Sequence, residues 1–259
     1  MLQLSRVLAT AVTALAVSAT SLTLPSVAGA QALPSATEIF DRHVKAIGGK
    51  DAIMAVSSVQ QKGVLEIAAM GLSADVTMAI ARPNKSSMIM TIPGLGEVRN
   101  GFDGQVAWDN NPMAGPSIAE GEMLEARKAA ADFNQSFGIY NPADFDSIAV
   151  VEKGMFGGEE AYKVAMKRKV GPLVHAFYSV ATGLYIGTST TVPTPMGNMD
   201  VNAVVGDYKT FGTLKLPTKI SQTQNGQDVN ITLNDVTFNT VAGDAFNLPP
   251  EIKALVKTP

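Results

Sequence analysis

The 259-residue chain contains no cysteine. No disulfide can form, so stability must come from packing alone. No thiol can carry a lipid, ligate zinc or act as a nucleophile. Histidine is scarce too, with only His43 and His175. Metal sites need several nitrogen, sulfur or carboxylate donors at workable spacing, and no such set is legible. Both histidines read as structural residues, one on a helix and one on a strand. No G-x-S-x-G elbow marks a serine hydrolase. Gly154-Met155-Phe156-Gly157-Gly158 lies between two strand patterns, so it reads as a turn and not as a phosphate cradle. The sequence therefore assigns no catalytic residue, metal or cofactor. The net charge is −3, and scattered charges offer no footprint for nucleic acid. No apolar run reaches the roughly 20 residues that a membrane-spanning helix needs.

The N-terminus has one cation, Arg6, then an apolar run from Val7 to Val17 broken only by Thr10 and Thr13. Pro25 and the small-residue sites Ala28-Gly29-Ala30 and Ala30-Gln31-Ala32 follow. This order predicts a cleavable secretory signal over residues 1–30, cut after Ala30 or Ala32. The mature chain is then one domain over residues 33–259, soluble and periplasmic. That length suits a single large all-β domain with a sizeable core. Lys167-Arg168-Lys169 is the one basic run. It reads as a solvated strand end or as a contact for an anionic headgroup.

Residues 36–47 repeat apolar side chains at helical spacing behind a candidate N-cap, Ser35. A second helical pattern runs from Ser117 to Phe133, after a loop holding Pro112, Gly115 and Pro116. A short turn over Pro250–Val256 closes the chain. Most of the rest alternates with period two. Val76, Met78 and Ile80 share one face, as do Met88 and Met90, Tyr162, Val164 and Met166, and Val229, Ile231 and Leu233. One apolar and one wet face are what an antiparallel sheet shows. Asn100-Gly101, Asp103-Gly104, Gly157-Gly158, Thr182-Gly183 and Asn225-Gly226 suit tight hairpins. About eleven or twelve strands result. A sheet so large tends to curl, and helices over its concave side make an open half-barrel.

The chain has twelve methionines, several inside strand patterns. Methionine adapts to varied apolar partners, so these residues fit either a plain core or the wall of a hollow. Two or three short helices cannot fill a concave face completely. A remaining apolar cavity could bury a hydrophobic ligand, at about 0.8 kcal/mol per methylene.

Ile80-Ala81-Arg82-Pro83-Asn84, Thr91-Ile92-Pro93, Asp103-Gly104, Trp108 and Asn111-Pro112 together resemble the N-terminal half of the LolA-like superfamily of periplasmic lipoprotein carriers. Phe177-Tyr178 with Thr182-Gly183-Leu184, and Asp207-Tyr208-Lys209 through Leu216-Pro217, resemble patterns of its broader members. The resemblance spans about residues 63–250. It implies an open half-barrel of about eleven antiparallel strands whose helices cover a hydrophobic cavity. It implies a non-enzymatic carrier of lipid or of the acyl chains of a lipoprotein, with membrane-bound donor and acceptor proteins as partners. Val76, Met78, Ile80, Met88, Met90, Phe102 and Trp108 would form the cavity wall. Arg82 matches the arginine that latches the lid by bonding helix backbone; it also reads as an exposed charge before a turn proline. The alternative role is an envelope-stress or assembly module on the same scaffold, without a stable ligand.

Overall fold

A computed structural model describes residues 32–194, 197–224 and 227–256. The segment read as an export signal, and the turn at Asn225-Gly226, lie outside the described residues. The described residues from Leu33 onward form one compact unit.

The alternating segments become strands, and the chain lays them down as two meanders. The first is β1 (Ser58–Ile67), β2 (Leu72–Ala81), β3 (Lys85–Ile92), β4 (Gly96–Phe102), β5 (Ala107–Asn111) and β6 (Gly115–Ile118). The second is β7 (Phe145–Phe156), β8 (Glu159–Arg168), β9 (Leu173–Ser179), β10 (Tyr185–Thr194) and β11 (Gly197–Gly206). A small hairpin, β12 (Lys209–Phe211) and β13 (Leu214–Leu216), follows, then β14 (Lys219–Gln224) and β15 (Gln227–Phe238). The last two join the meanders into one sheet of 13 strands, ordered β6-β5-β4-β3-β2-β1-β15-β14-β11-β10-β9-β8-β7. The edges β6 and β7 do not pair, so the barrel stays open. They are consecutive in the chain, so residues 119–144 must run from one edge to the other.

The helices are short. α1 (Ala36–Ala46) starts at a capping box. The Ser35 hydroxyl accepts from the Glu38 N–H at 3.2 Å, and the Ser35 N–H donates back to the Glu38 carboxylate at 2.7 Å. Such a cap contributes about 1 kcal/mol. Ile39, His43 and Ile47 are the buried side chains of this stretch. α2 (Lys50–Met54) follows at once and buries Ile53 completely. Its five residues are too few to carry a periodic signal. α3 (Gly121–Ala130) is shorter than the pattern over residues 117–133 suggests. Ser117 and Ile118 instead complete β6, pairing with Asp109 and Trp108. α4 (Pro250–Lys253) ends the described chain.

Asn100-Gly101 is not a turn. Both residues lie inside β4, and Gly101 faces Trp108 across the ladder. A Cβ on Gly101 would sit 2.8 Å from the Ser86 carbonyl and 3.0 Å from the Trp108 ring. The tryptophan needs the bare glycine beneath it, and this packing overrides a strong local turn signal.

Candidate functional site

Residues directly opposite in an antiparallel ladder share a face. The register therefore traces one face across the whole sheet. Val59, Ile80 and Ser86 lie on it with Phe102. Gln61, Met78 and Met88 form the next row, and Gly63, Val76 and Met90 the row after. In the second meander the same face carries Met166, Val174 and Thr190, and Val164, Ala176 and Thr188. Helices α1 and α2 and residues 133–140 pack on this face. Their shared core holds Ile47, Ile53, Val59, Phe133, Phe137 and Val236.

The helices do not fill the face. One hollow of about 330 Å³ lies between α1, residues 135–140 and the second meander. A second, of about 320 Å³, reaches the first meander at Val59, Met78 and Ile80. His43, Ser136 and Tyr185 line both. A third, of about 460 Å³, flanks α1 on its Phe40 and Val44 side. It shares Gly138, Tyr140 and Phe145 with the first. Each falls within the roughly 300–1,000 Å³ of small-ligand sites.

The first two hollows share an aromatic, uncharged centre, and each has one charged side chain on its lining, Arg168 in the first and Lys215 in the second. The Tyr140 and Tyr178 hydroxyls lie 3.3 Å apart. The Tyr208 hydroxyl donates to the Tyr185 carbonyl at 2.7 Å. Burial pushes Tyr178 well above the ordinary tyrosine range and raises Tyr140 and Tyr208. Burial pushes Tyr185 up to about 12. Phe40 packs on Tyr140 and Tyr178 with ring centres 4.7 and 5.7 Å apart. His43 stands in the middle. The Tyr185 N–H donates to its Nδ1 at 3.1 Å, which leaves Nε2 as the protonated nitrogen. Desolvation pulls its pKa down to about 4, against a smaller opposing pull from the Gly183 backbone. Gly138, at φ +75°, lets the chain pass close above the ring. A Cβ there would meet His43 Cδ2 at 2.6 Å.

Arg82 ties the cover to the sheet. Its Nε donates to the Val56 carbonyl at 2.8 Å and its Nη2 to the Ile53 carbonyl at 3.0 Å. Its Nη1 donates to Asn134 Oδ1 at 2.7 Å. The guanidinium also lies 4.4 Å from the Phe133 ring centre. One rigid fork thus holds α2, the residue two beyond it and the segment after α3.

Two solved structures match this architecture over almost their whole length. A LolA superfamily protein from Nitrosomonas europaea covers 83% of this chain and 99% of its own, at 11% identity and a TM-score of 0.54. A DUF1329 family protein from Desulfovibrio piger covers 82% and 96%, at 9% identity and a TM-score of 0.55. A third, described as an outer membrane lipoprotein-sorting protein domain from Vibrio parahaemolyticus, covers 82% and 94%, at 10% identity and a TM-score of 0.52. The chain has a LolA-like fold. At these identities the likeness concerns the fold alone. No protein-family model and no curated protein matches the sequence.

Within this LolA-like fold, the residues expected on a cavity wall separate into groups. Met78 and Ile80 line the second hollow. Val76, Met88 and Met90 share their face; Val76 is buried and the two methionines are half-buried. Phe102 shares the face but not the hollow. It is packed solid with Ala107, Ala119 and Ala131 under α3, which Arg127 ties to Asp109 at 2.8 Å. Trp108 is corrected outright. It pairs with Gly101, one residue out of phase with Phe102, and so stands on the opposite face. There it is buried, and its Nε1–H finds no acceptor among the described residues.

The tyrosine cluster escaped sequence reasoning. Its members come from four separate stretches of chain. One local clue existed: Tyr178 and Tyr185 flank the Thr182-Gly183 hairpin and pair directly across it. Among the described residues no group of carboxylates, histidines and cysteines could hold a metal, and no helix is long and apolar enough to cross a membrane.

Proposed function

We propose that this protein is a periplasmic, non-enzymatic carrier that binds a lipid or the acyl chains of a lipoprotein beneath its helices. One observation carries the reading: the adjoining hollows between the concave face and its helical cover. Their walls are largely apolar or uncharged, with charge limited to Arg168 in the first, Lys215 in the second and Asp41, Lys50 and Asp146 in the third, and side chains of the protein leave them open. Burying an acyl chain there would contribute about 0.8 kcal/mol per methylene. Arg82 supports the reading as the group that holds the cover closed. Release of cargo then needs the cover to open, with α2 and residues 133–137 as its moving parts. An export signal over residues 1–30 would deliver the chain to the periplasm.

The test is recovery of the cargo. The protein is purified from the bacterial envelope without detergent, extracted with organic solvent and analysed by lipid mass spectrometry. About one lipid or acylated peptide per chain is expected. Repeated recovery of chains with no lipid, which also fail to load from vesicles, would refute the carrier.

A further inference from the structure

Two part-buried arginines face the cover, and they differ in one respect. Arg82 spends its fork on four protein acceptors, three oxygens and the Met54 sulfur. Arg168 has one, the Gln135 side-chain oxygen, among the described residues. Its guanidinium carries five N–H donors, so most of the fork is left over. No carboxylate lies within ion-pair distance of it among the described residues.

Arg168 is the last residue of β8, two beyond Met166 and opposite Phe145. Its guanidinium rests 4.4 Å from the Phe145 ring centre, which fixes its position. It lines the hollow of about 330 Å³ and, on its other side, a surface depression shared with Lys128, Lys169, Glu125, Asp132 and Asp144. In the hollow itself it is the one charged side chain among the described residues, because His43 stays neutral well below pH 7. A cation with spare donors thus sits where an apolar chamber meets solvent.

We propose that Arg168 receives the anionic head of a single-chain amphiphile whose tail lies in the hollow beneath α1. This rests on the carrier reading and goes beyond it by naming the head group's charge and its receptor. A planar fork suits two oxygens of one anion, and the aromatic face behind it keeps the fork aimed. Around the depression Lys128 and Lys169 offset Glu125, Asp132 and Asp144, so the charge left facing the hollow is that of Arg168. One negative charge on the head matches it, as in a carboxylate or a phosphodiester. The hollow would hold on the order of ten methylene-sized units at ~30 Å³ each, and the adjoining hollow at Met78 extends it.

The experiment uses the mature protein and a fluorescent fatty acid, cis-parinaric acid, beside its uncharged methyl ester. Wild type should bind the acid at least about tenfold more tightly than the ester, the low end of what a charged hydrogen-bonded pair contributes. Arg168→Gln should bring the ratio to about one by weakening the acid alone. Arg168→Lys should keep part of it, and Lys169→Gln all of it. Displacement by palmitate or by palmitoyl lysophosphatidylglycerol distinguishes the two heads, since the matching one loses potency in Arg168→Gln. Equal binding of acid and ester to wild type overturns this proposal and leaves the carrier standing. So does a ratio that survives Arg168→Gln. Binding of neither probe overturns both. Should Arg168→Gln fail to fold, the wild-type ratio and the Arg168→Lys ratio still decide.

Discussion

Arg82 Nη2 donates to the Ile53 carbonyl at 3.0 Å and so joins the end of β2 to the body of α2. Neighbouring atoms of the same guanidinium hold Val56 and Asn134. Removing the fork leaves two backbone carbonyls without their donors. Hydrogen bonds to a charged group contribute about 1.5–3 kcal/mol each, and three on one group do not add. Arg82→Leu should therefore ease local opening by at least about 2 kcal/mol, roughly thirtyfold in exchange rate. Amide hydrogen exchange over residues 53–57 and 133–137 measures this. Unchanged exchange there would show that Arg82 is not a latch.

His43 makes stability depend on pH. Its pKa is about 4 in the folded protein, against an ordinary value of 6.5. Between those values the unfolded chain binds a proton that the folded chain does not. Stability is therefore full above pH 6.5 and falls as pH drops toward 4. At pH 5 the loss from this group is about 2 kcal/mol. Urea unfolding at pH 7.5 and pH 5 should show it, and His43→Asn should lose correspondingly less over the same interval. Equal losses in the two proteins would contradict a buried, neutral imidazole.

The period-two pattern made one face of β2 and β3 readable, because alternation alone assigns Val76, Met78 and Ile80 to one side. It could not say which strand faces which. Trp108 went to the wrong side for that reason: its face depends on the register between β4 and β5. Asn100-Gly101 misled in the same region, since the glycine serves the tryptophan ring and not a turn. The site was less legible than the sheet. Met78 and Arg82 sit in local motifs, whereas Tyr140, Tyr178, Tyr185 and Tyr208 converge only after the sheet has curled. Arg168 stood out only as part of a basic run, and its open fork depends on contacts from Gln135 and Phe145, outside β8.

Phe102 and Met78 should separate stability from binding. Phe102 is 1% exposed and packed under α3. Phe102→Ala should cost about 3–5 kcal/mol and leave affinity for a hydrophobic probe within a few-fold in the molecules that remain folded. Met78→Glu places a charge in the second hollow and should weaken the probe at least about tenfold, for a smaller loss of stability. Denaturation midpoints and probe titrations on the two variants check this, and the reverse pattern would move the site.

Gly101→Ala tests the correction at Trp108. The added methyl group must push the Ser86 strand or the indole aside. A loss of about 1–3 kcal/mol is expected, with altered tryptophan fluorescence, since Trp108 is the one tryptophan in the chain. An unaltered midpoint and spectrum would contradict the ladder that pairs these residues.

The central claim is that a greasy guest occupies the space between the concave face and the helices. Nitroxide-labelled stearate, added to protein carrying ¹³C-methyl methionine, reports that position directly through paramagnetic broadening. Met78 and Met166 line two of the hollows, whereas Met113 and Met155 are 79% and 69% exposed. Saturable broadening of Met78 and Met166, with Met113 and Met155 left sharp, is the predicted spectrum. Broadening confined to the exposed methyls, or absent from all of them, would contradict the account.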